Sequence, residues 1–505
     1  ILRLIMLGER SLWYDEAFAV LFAEKGLDAM LYGTLTPVAG GAADIHPLLY
    51  YGTLNIWMNI FGQSAFAVRL WSALLGVVTV ALIYLLARTL FNERTALAAA
   101  LITAIAPFHV QYSQEARMYT LLGLLLVAAT LCFIKGWRAR GRVVWAWWLA
   151  FGLLAGMAMY TQQLAAFYLV ALGLVPLLAR RWRQMGGVIV GALVAVVVYL
   201  PWLVNLPSQF EKVRAYYWLT PPNPARPLLT LRTFTTVALD IPPPASMIAV
   251  LGALFLALFL VIQVIFYLRR RVQPDRKPLL FTLWLAAAPP ALMWLVSQWQ
   301  PVYLERSLLP SALLFYLALA WLLTRGGLPR PVAALISGMM LILAGIGLFY
   351  HYTWAQFPNS PFPAVAAHIR ANWQPGDVIV HQNKLSALPL VFYARDLPQR
   401  YLGDAPGSPE DTLALPTQQT LALLADACMQ VASHDARRIW WVIFADAERQ
   451  YTAQGRPELV EAQAWLGEHY QEVEGSVFTD LNVILYDAIA ASDWPPDCES
   501  NGDGT

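Results

Sequence analysis

The sequence predicts a multi-pass α-helical membrane protein with about 11 transmembrane helices and a small C-terminal extracytoplasmic α/β domain. Three observations carry that prediction. Of the 505 residues, 58% are hydrophobic and 13% charged, with a mean hydropathy of +0.52, where a soluble globular chain carries about 25% charge. Apolar runs able to cross a hydrocarbon core of about 30 Å recur as far as Tyr350. Arginine and lysine collect in alternate connections between those runs. The net charge of +2 carries no nucleic-acid signal. Cys132, Cys428 and Cys498 are too few for a disulfide framework, although the last two can pair if their region lies in an oxidising compartment.

The chain opens on "ILRLIML", too short to span, which reads as the stub of a first helix cut short and not as a signal peptide. Spans follow over 68–90, 95–110, 119–134, 144–160, 164–178, 187–204, 245–268, 279–296, 308–323 and 332–350. One alternate set of connections holds Arg88 and Arg94, then Lys135 to Arg142, Arg180 to Arg183, Arg269 to Lys277, and Arg325 with Arg330. Every member is basic, so this set faces the cytoplasm. The other set holds "SLWYDEAFAV", "DIHPLLYYG", "HVQYSQEARMYT", "YTQQ", "TPPNPARP", "WQPVYLERS" and everything after Tyr350. It therefore falls on the outer face, within a membrane domain of 1–353 whose outer loop runs over 9–66. From Trp354 charges return, and "DVIVH", "RIWWVIFA" and "NVILYD" alternate with polar helical stretches, the pattern of an α/β domain over 354–492. The tail, 493–505, reads as disordered.

The outer loops hold the candidate chemistry. Asp15 and Glu16 are adjacent carboxylates in an apolar setting. They are either a hydrated pair capping the helix that follows, or a general base with a neighbour that tunes its pKa. Asp44 and His46, two residues apart before a proline, point to one side if extended, as metal binding or a shared hold on a phosphate requires. A turn with Asp44 bonding its own backbone is the alternative. Glu115, Arg117 and Tyr119 mark the outer boundary of a span, and Glu305 with Arg306 marks another. Arginines on the side where basic residues are disfavoured call for an anionic partner, a lipid phosphate or a carboxylate.

"SLWYDEAF", "DIHPLLYYGTLNIWMNIFG", "QYSQEARMYTLLGLL" and "YLERSLLPSALLFYLALAWLL", in this order and spacing, resemble the family 39 glycosyltransferases of the GT-C membrane fold, relatives of protein mannosyltransferases and aminoarabinose transferases. The resemblance runs from Ser11 to Tyr350. It departs from the family at "HPLL", where a second proline is usual, and at Ser307, where tyrosine is common.

The resemblance implies a plasma (inner) membrane enzyme moving a sugar from a polyprenyl-phosphate donor to an acceptor hydroxyl on a protein, lipid or glycan, with inversion. It makes Asp15 the base with Glu16 beside it, sets Arg117 and Tyr119 near the donor phosphate, and turns Arg306 and Glu305 toward the same lipid head. Asp44, His46 and Glu115 remain acceptor or metal candidates. A lipid phosphate is already a good leaving group, so one base and some positive charge suffice, and no cofactor is required beyond a divalent cation as an option. A lipid or polysaccharide flippase is the rival reading; it calls for charges at mid-span, whereas here they sit at span ends.

Overall fold

The computed structural model describes residues 1–38, 41–216, 219–403, 413–453, 458–489 and 498. Apart from Cys498, the tail expected to be disordered lies outside the described residues. The chain opens with one 3-10 turn, Leu2–Leu4, followed by α1 (Tyr14–Ala23), α2 (Leu27–Leu35), the hairpin strands β1 (Pro37–Val38) and β2 (Gly41–Ala42), and α3 (Leu49–Phe61). Next come α4 (Ala65–Leu90), α5 (Glu93–Ile105), α6 (Pro107–Ser113), α7 (Tyr119–Arg138), α8 (Val143–Thr161), α9 (Ala165–Gly173) and α10 (Val175–Leu178). The membrane region closes with α11 (Trp182–Leu203), α12 (Leu206–Tyr216), α13 (Arg226–Thr235), α14 (Ala245–Leu268), α15 (Arg276–Val296), α16 (Leu309–Arg325) and α17 (Arg330–Thr353).

Among the described residues, eight helices are long and apolar enough to cross a membrane, or nine if the bent pair α5 and α6 is one span. This corrects the expected count of about eleven at two places. The expected span 164–178 is two short helices, and the opening stub is a single turn. The expected straight span 95–110 is bent by 61° between α5 and α6. Pro107 has no N–H to give and pushes Ala106 out of the helical region, to ψ 117°. Arg3 covers the carbonyls this frees: its guanidinium donates to Ala104 O at 3.0 Å and Thr103 O at 3.2 Å. The opening turn is thus a plug for the bend.

The helices pack around α16: 89% of the apolar stretch within Glu305–Arg325 is buried, against 22% of that within α17. α3 lies differently. Its Tyr50, Tyr51, Leu54 and Met58 are buried while Ile56, Ile60 and Phe61 are exposed, the two-faced pattern of a helix resting at a membrane surface.

After α17 the chain forms α18 (Phe362–Ala371), β3 (Asp377–His381), α19 (Lys384–Tyr393), β4 (Gln399–Leu402), α20 (Leu415–Leu421), β5 (Ala425–Asp426) and α21 (Met429–Ala432). It ends with β6 (Arg438–Phe444), α22 (Ala447–Ala453), α23 (Glu458–His469), β7 (Tyr470–Phe478) and β8 (Leu481–Ala488). The six strands after α17 form one sheet, in the order β5-β4-β3-β6-β8-β7. Its first four strands are parallel, and β8 and β7 add antiparallel partners. Alternation along β3 and β6 sends Ile379, Trp440 and Val442 against α18 and α19, and Val380, Ile439 and Trp441 against α21 and α23. A disulfide joins Cys428 to Cys498.

This domain docks on the segment that precedes α4. Leu388 of α19 and Leu421 of α20 share a core with Phe18 and Phe22 of α1. The Tyr393 hydroxyl accepts from Leu12 N at 2.8 Å, Thr417 donates to Gly33 O at 2.8 Å, and Arg395 pairs with Glu24 at 2.7 Å. Gly33 is the tight point, because a Cβ there would meet Thr420 Oγ1 at 2.5 Å and Phe22 Cε2 at 2.9 Å. Gly33→Ala is therefore expected to weaken the junction by about 1–3 kcal/mol. A thermal scan with limited proteolysis checks it: the variant should melt lower, and a melting temperature equal to wild type would show that the seam is not close-packed there.

Candidate active site

Trp13 caps α1, so Asp15 and Glu16 both lie in its first turn, where a helix N-terminus favours negative charge. Consecutive positions on a helix point about 100° apart, and the two carboxylates serve different neighbours. Glu16 turns inward and is 1% exposed. Arg69 of α4 grips it with two bonds, at 2.7 and 2.5 Å, while Glu16 Oε1 also accepts from Ala116 N at 2.8 Å. The same guanidinium donates to the carbonyls of Leu7, Arg10 and Ser11. Glu16 thus locks α1, the preceding loop and the 115–117 loop to one another.

Asp15 turns outward onto a cavity of about 1320 Å³. Its Oδ2 accepts from Arg306 Nη1 at 2.7 Å and lies 3.9 Å from Arg117 Nε. Arg117 is fixed by bonds to Asp15 O at 3.2 Å and the Tyr51 hydroxyl at 3.1 Å. Arg306 is held between Trp13 and Tyr119, its guanidinium carbon 5.8 and 5.3 Å from their ring centres. Burial by itself would push the Asp15 carboxyl up; Arg117, Arg306 and then His46 outweigh it and hold the group below the ordinary carboxylate range. The Nε atoms of both arginines are buried without a hydrogen-bond partner.

Asp44 and His46 face the same cavity. His46 Nδ1 lies 2.8 Å from Asp44 Oδ1, which also accepts from Ile45 N at 2.6 Å, so the extended and turn-like expectations for this element are both partly met. Burial would raise the Asp44 carboxyl, but His46, Lys212 and the Ile45 N–H bring it down to about 2. The backbone here is secured from α12: Gln209 Nε2 donates to Asp44 O at 3.2 Å, and Lys212 donates to Ala43 O. Gln163 in turn donates to Gln209 Oε1 at 2.6 Å.

Besides Glu16, two further expected members stand elsewhere. Glu305 pairs with Arg226 of α13, Oε2 to Nη2 at 2.8 Å, and does not line the cavity, whereas its neighbour Arg306 does. Glu115 is buried behind the cavity wall with Oε1 unpartnered. Burial first, then the charge of Glu16, pushes its carboxyl up to about 8, so it is largely protonated at neutral pH and a poor metal ligand. Among the described residues no three His, Cys, Asp or Glu side chains come together as a metal-binding group. Asp44 and His46 are drawn together; Glu115 does not join them.

The walls divide by chemistry. Leu164 at the start of α9, Phe167 within it, Leu203 from α11 and Leu206 and Phe210 from α12 give an apolar side, and the arginines and carboxylates give a polar one. The C-terminal domain closes the cavity with Asn383, Lys384, Tyr401 and Tyr451. Sequence reasoning missed those four, because nothing local ties a residue near 384 to one near 15. It also missed Arg69, for which a signal existed: a charge within an apolar span asks for a buried partner.

Residues 45–204 match the family described as Dolichyl-phosphate-mannose-protein mannosyltransferase. ArnT from Cupriavidus metallidurans bound to undecaprenyl phosphate superposes with a TM-score of 0.62 over 96% of both chains, at 15% identity. The chain resembles family 39 glycosyltransferases, and its fold is of the GT-C type. The archaeal oligosaccharyltransferase AglB from Archaeoglobus fulgidus, in complex with an inhibitory peptide and a dolichol-phosphate, also matches, with a TM-score of 0.52 over 96% of this chain and 71% of that one, at 14% identity. An undecaprenyl phosphate-alpha-4-amino-4-deoxy-L-arabinose arabinosyl transferase from Pseudomonas fluorescens is 33% identical over 183 residues, 34% of this chain. One from Proteus mirabilis is 27% identical over 179 residues. The match spans 32% of the length of the Pseudomonas fluorescens relative. The family segment holds His46, Glu115, Arg117 and Tyr119. Asp15 and Arg306 lie outside it, and the GT-C fold brings them to the same cavity wall.

Proposed function

We propose that this chain is an integral membrane glycosyltransferase that moves a sugar from a polyprenyl-phosphate donor to an acceptor hydroxyl on the outer face, with inversion and with Asp15 as general base. The observation that carries the reading is Asp15 held between Arg117 and Arg306 on the wall of a cavity with one apolar side. The apolar side suits a polyprenyl chain, and the two guanidiniums suit its phosphate. The acceptor oxygen attacks the anomeric carbon, the bond from that carbon to the phosphate oxygen breaks, and the electron pair leaves on the lipid phosphate. Arg117 and Arg306 stabilise that charge, and the acceptor proton passes to Asp15.

A carboxylate tied to two arginines is a weak base. The donor resolves this, because its phosphate competes for the same guanidiniums and loosens their hold on Asp15. Substrate binding thereby strengthens the base it needs. A pH profile tests this. Asp15 must be ionised to act, so in the free enzyme the acid limb of kcat/KM should lie below the ordinary carboxylate range, and with donor bound the acid limb of kcat should lie higher. Coincident limbs in both profiles would remove the donor-triggered release. The class itself is tested by mass spectrometry of lipid extracted with the purified protein and by transfer assays with polyprenyl-phosphate sugars; absence of transfer from every donor tried with a full set of hydroxyl acceptors would overturn it.

The basic alternate connections support an orientation with the cavity and the C-terminal domain on the outer side of the inner membrane. The Cys428 to Cys498 disulfide is in keeping with an oxidising compartment for that domain. The acceptor, whether protein, lipid or glycan, would enter beneath it.

A further inference from the structure

Most polar side chains on the cavity wall away from the arginines are spent on the scaffold. Gln163 is bonded to Gln209, Gln209 to the Asp44 carbonyl, and Asp44 to His46. Gln162 stands apart. It follows α8 directly in the turn to α9, is 6% exposed, lines the same cavity as Asp15, and its side-chain oxygen has no hydrogen-bond partner. Its backbone is satisfied, N to Ala158 O at 3.0 Å and O from Ala165 N at 3.1 Å, so the turn does not need the amide. Met159 of α8, Leu164 of the same turn and Phe167 of α9 are its companions on the wall, and a leucine would suit them without a buried polar deficit. The amide is explained by a ligand that enters the cavity.

We infer that Gln162 is a sugar-recognition residue, its side-chain amide bonding a ring hydroxyl of the donor sugar. This inference rests on the lipid-phosphate donor read above. An uncharged amide, with one acceptor and two donors, matches a hydroxyl and does little for a phosphate, which Arg117 and Arg306 already serve. The residue therefore acts on which sugar is held and leaves the lipid head to the arginines. A site with an amide waiting for a hydroxyl penalises a sugar that lacks it, because the amide then stays unpaired.

The test separates sugar from lipid. Purified wild type, Gln162→Leu and Gln162→Asn are incorporated in nanodiscs, and native mass spectrometry measures binding of undecaprenyl phosphate alone and of undecaprenyl phosphate carrying mannose, glucose or 4-amino-4-deoxyarabinose. Wild type is expected to bind at least one glycosylated lipid more tightly than the bare lipid phosphate. Gln162→Leu should lose that preference by about tenfold while binding the bare lipid phosphate as wild type does. Its melting temperature should be no lower than wild type, and Gln162→Asn should retain an intermediate preference. A sugar preference unchanged in Gln162→Leu overturns the inference, as does a wild type that prefers none of the three sugars. A wild type that binds neither bare nor glycosylated lipid phosphate instead overturns the donor reading beneath it.

Discussion

Asp15→Asn is expected to lower the rate of sugar transfer by between about 10² and 10⁴ while the protein still inserts and folds. The amide keeps an oxygen for the Arg306 bond, 2.7 Å long in the wild type, and loses the ability to take a proton. Donor binding should hold or tighten, since the phosphate no longer competes with a carboxylate for the two guanidiniums. Single-turnover transfer and donor affinity, measured together, check both halves. Wild-type transfer by the variant would end the general-base role, and a fall in donor affinity equal to the fall in rate would make Asp15 a positioning group. The carboxyl also bears on stability. Its pKa is depressed in the fold, so its stabilising contribution is present above the unfolded value and is lost as pH falls through the folded one. The variant's melting temperature should accordingly depend less on acid than that of wild type.

Glu16→Gln should have the largest effect on stability, about 3–5 kcal/mol, because it leaves Arg69 charged and buried without its counter-ion. Both side chains are 2% exposed, so water cannot make up the difference. A melting curve and the yield of folded protein from membranes read the outcome. Pairing Glu16→Gln with Arg69→Met should recover part of the loss, since an apolar pair removes the stranded charge. A fully stable single variant would mean the pair is open to solvent. The contrast with Asp15 is informative: two neighbouring carboxylates are predicted to fail in different ways, one in chemistry and the other in folding.

Much of this was legible in the sequence. Spans show as long apolar runs, eight of which appear as membrane-length helices among the described residues. Asp15, Asp44, His46, Arg117, Tyr119 and Arg306 were read from four short motifs, and the fold brings all six to one cavity. The errors have local causes. Hydropathy averages across Pro107 and Pro176, so a 61° bend and two short helices read as straight spans. Adjacency in sequence suggested that Glu16 would share the work of Asp15 and Glu305 that of Arg306, but the first turn of α1 and the 3-10 turn Glu305–Leu308 send neighbours to different partners, here Arg69 and Arg226. Lys384 and Tyr451 needed the tertiary fold, since only docking of the C-terminal domain carries them to the cavity.

That docking runs through α1, a rod of ten residues and about 15 Å. Asp15 sits in its first turn, Phe18 and Phe22 meet the C-terminal domain along its length, and Glu24 at its far end is tethered to Arg395. The Asp15 carboxylate is therefore mechanically coupled to a surface that water reaches. An antibody fragment wedged at the α1 to α19 seam should slow transfer in proportion to its occupancy, with the donor lipid still in place, whereas a fragment bound across the distant edge strand β7 should not. Inhibition of such an enzyme would then require neither entry into the bilayer nor competition with a greasy substrate.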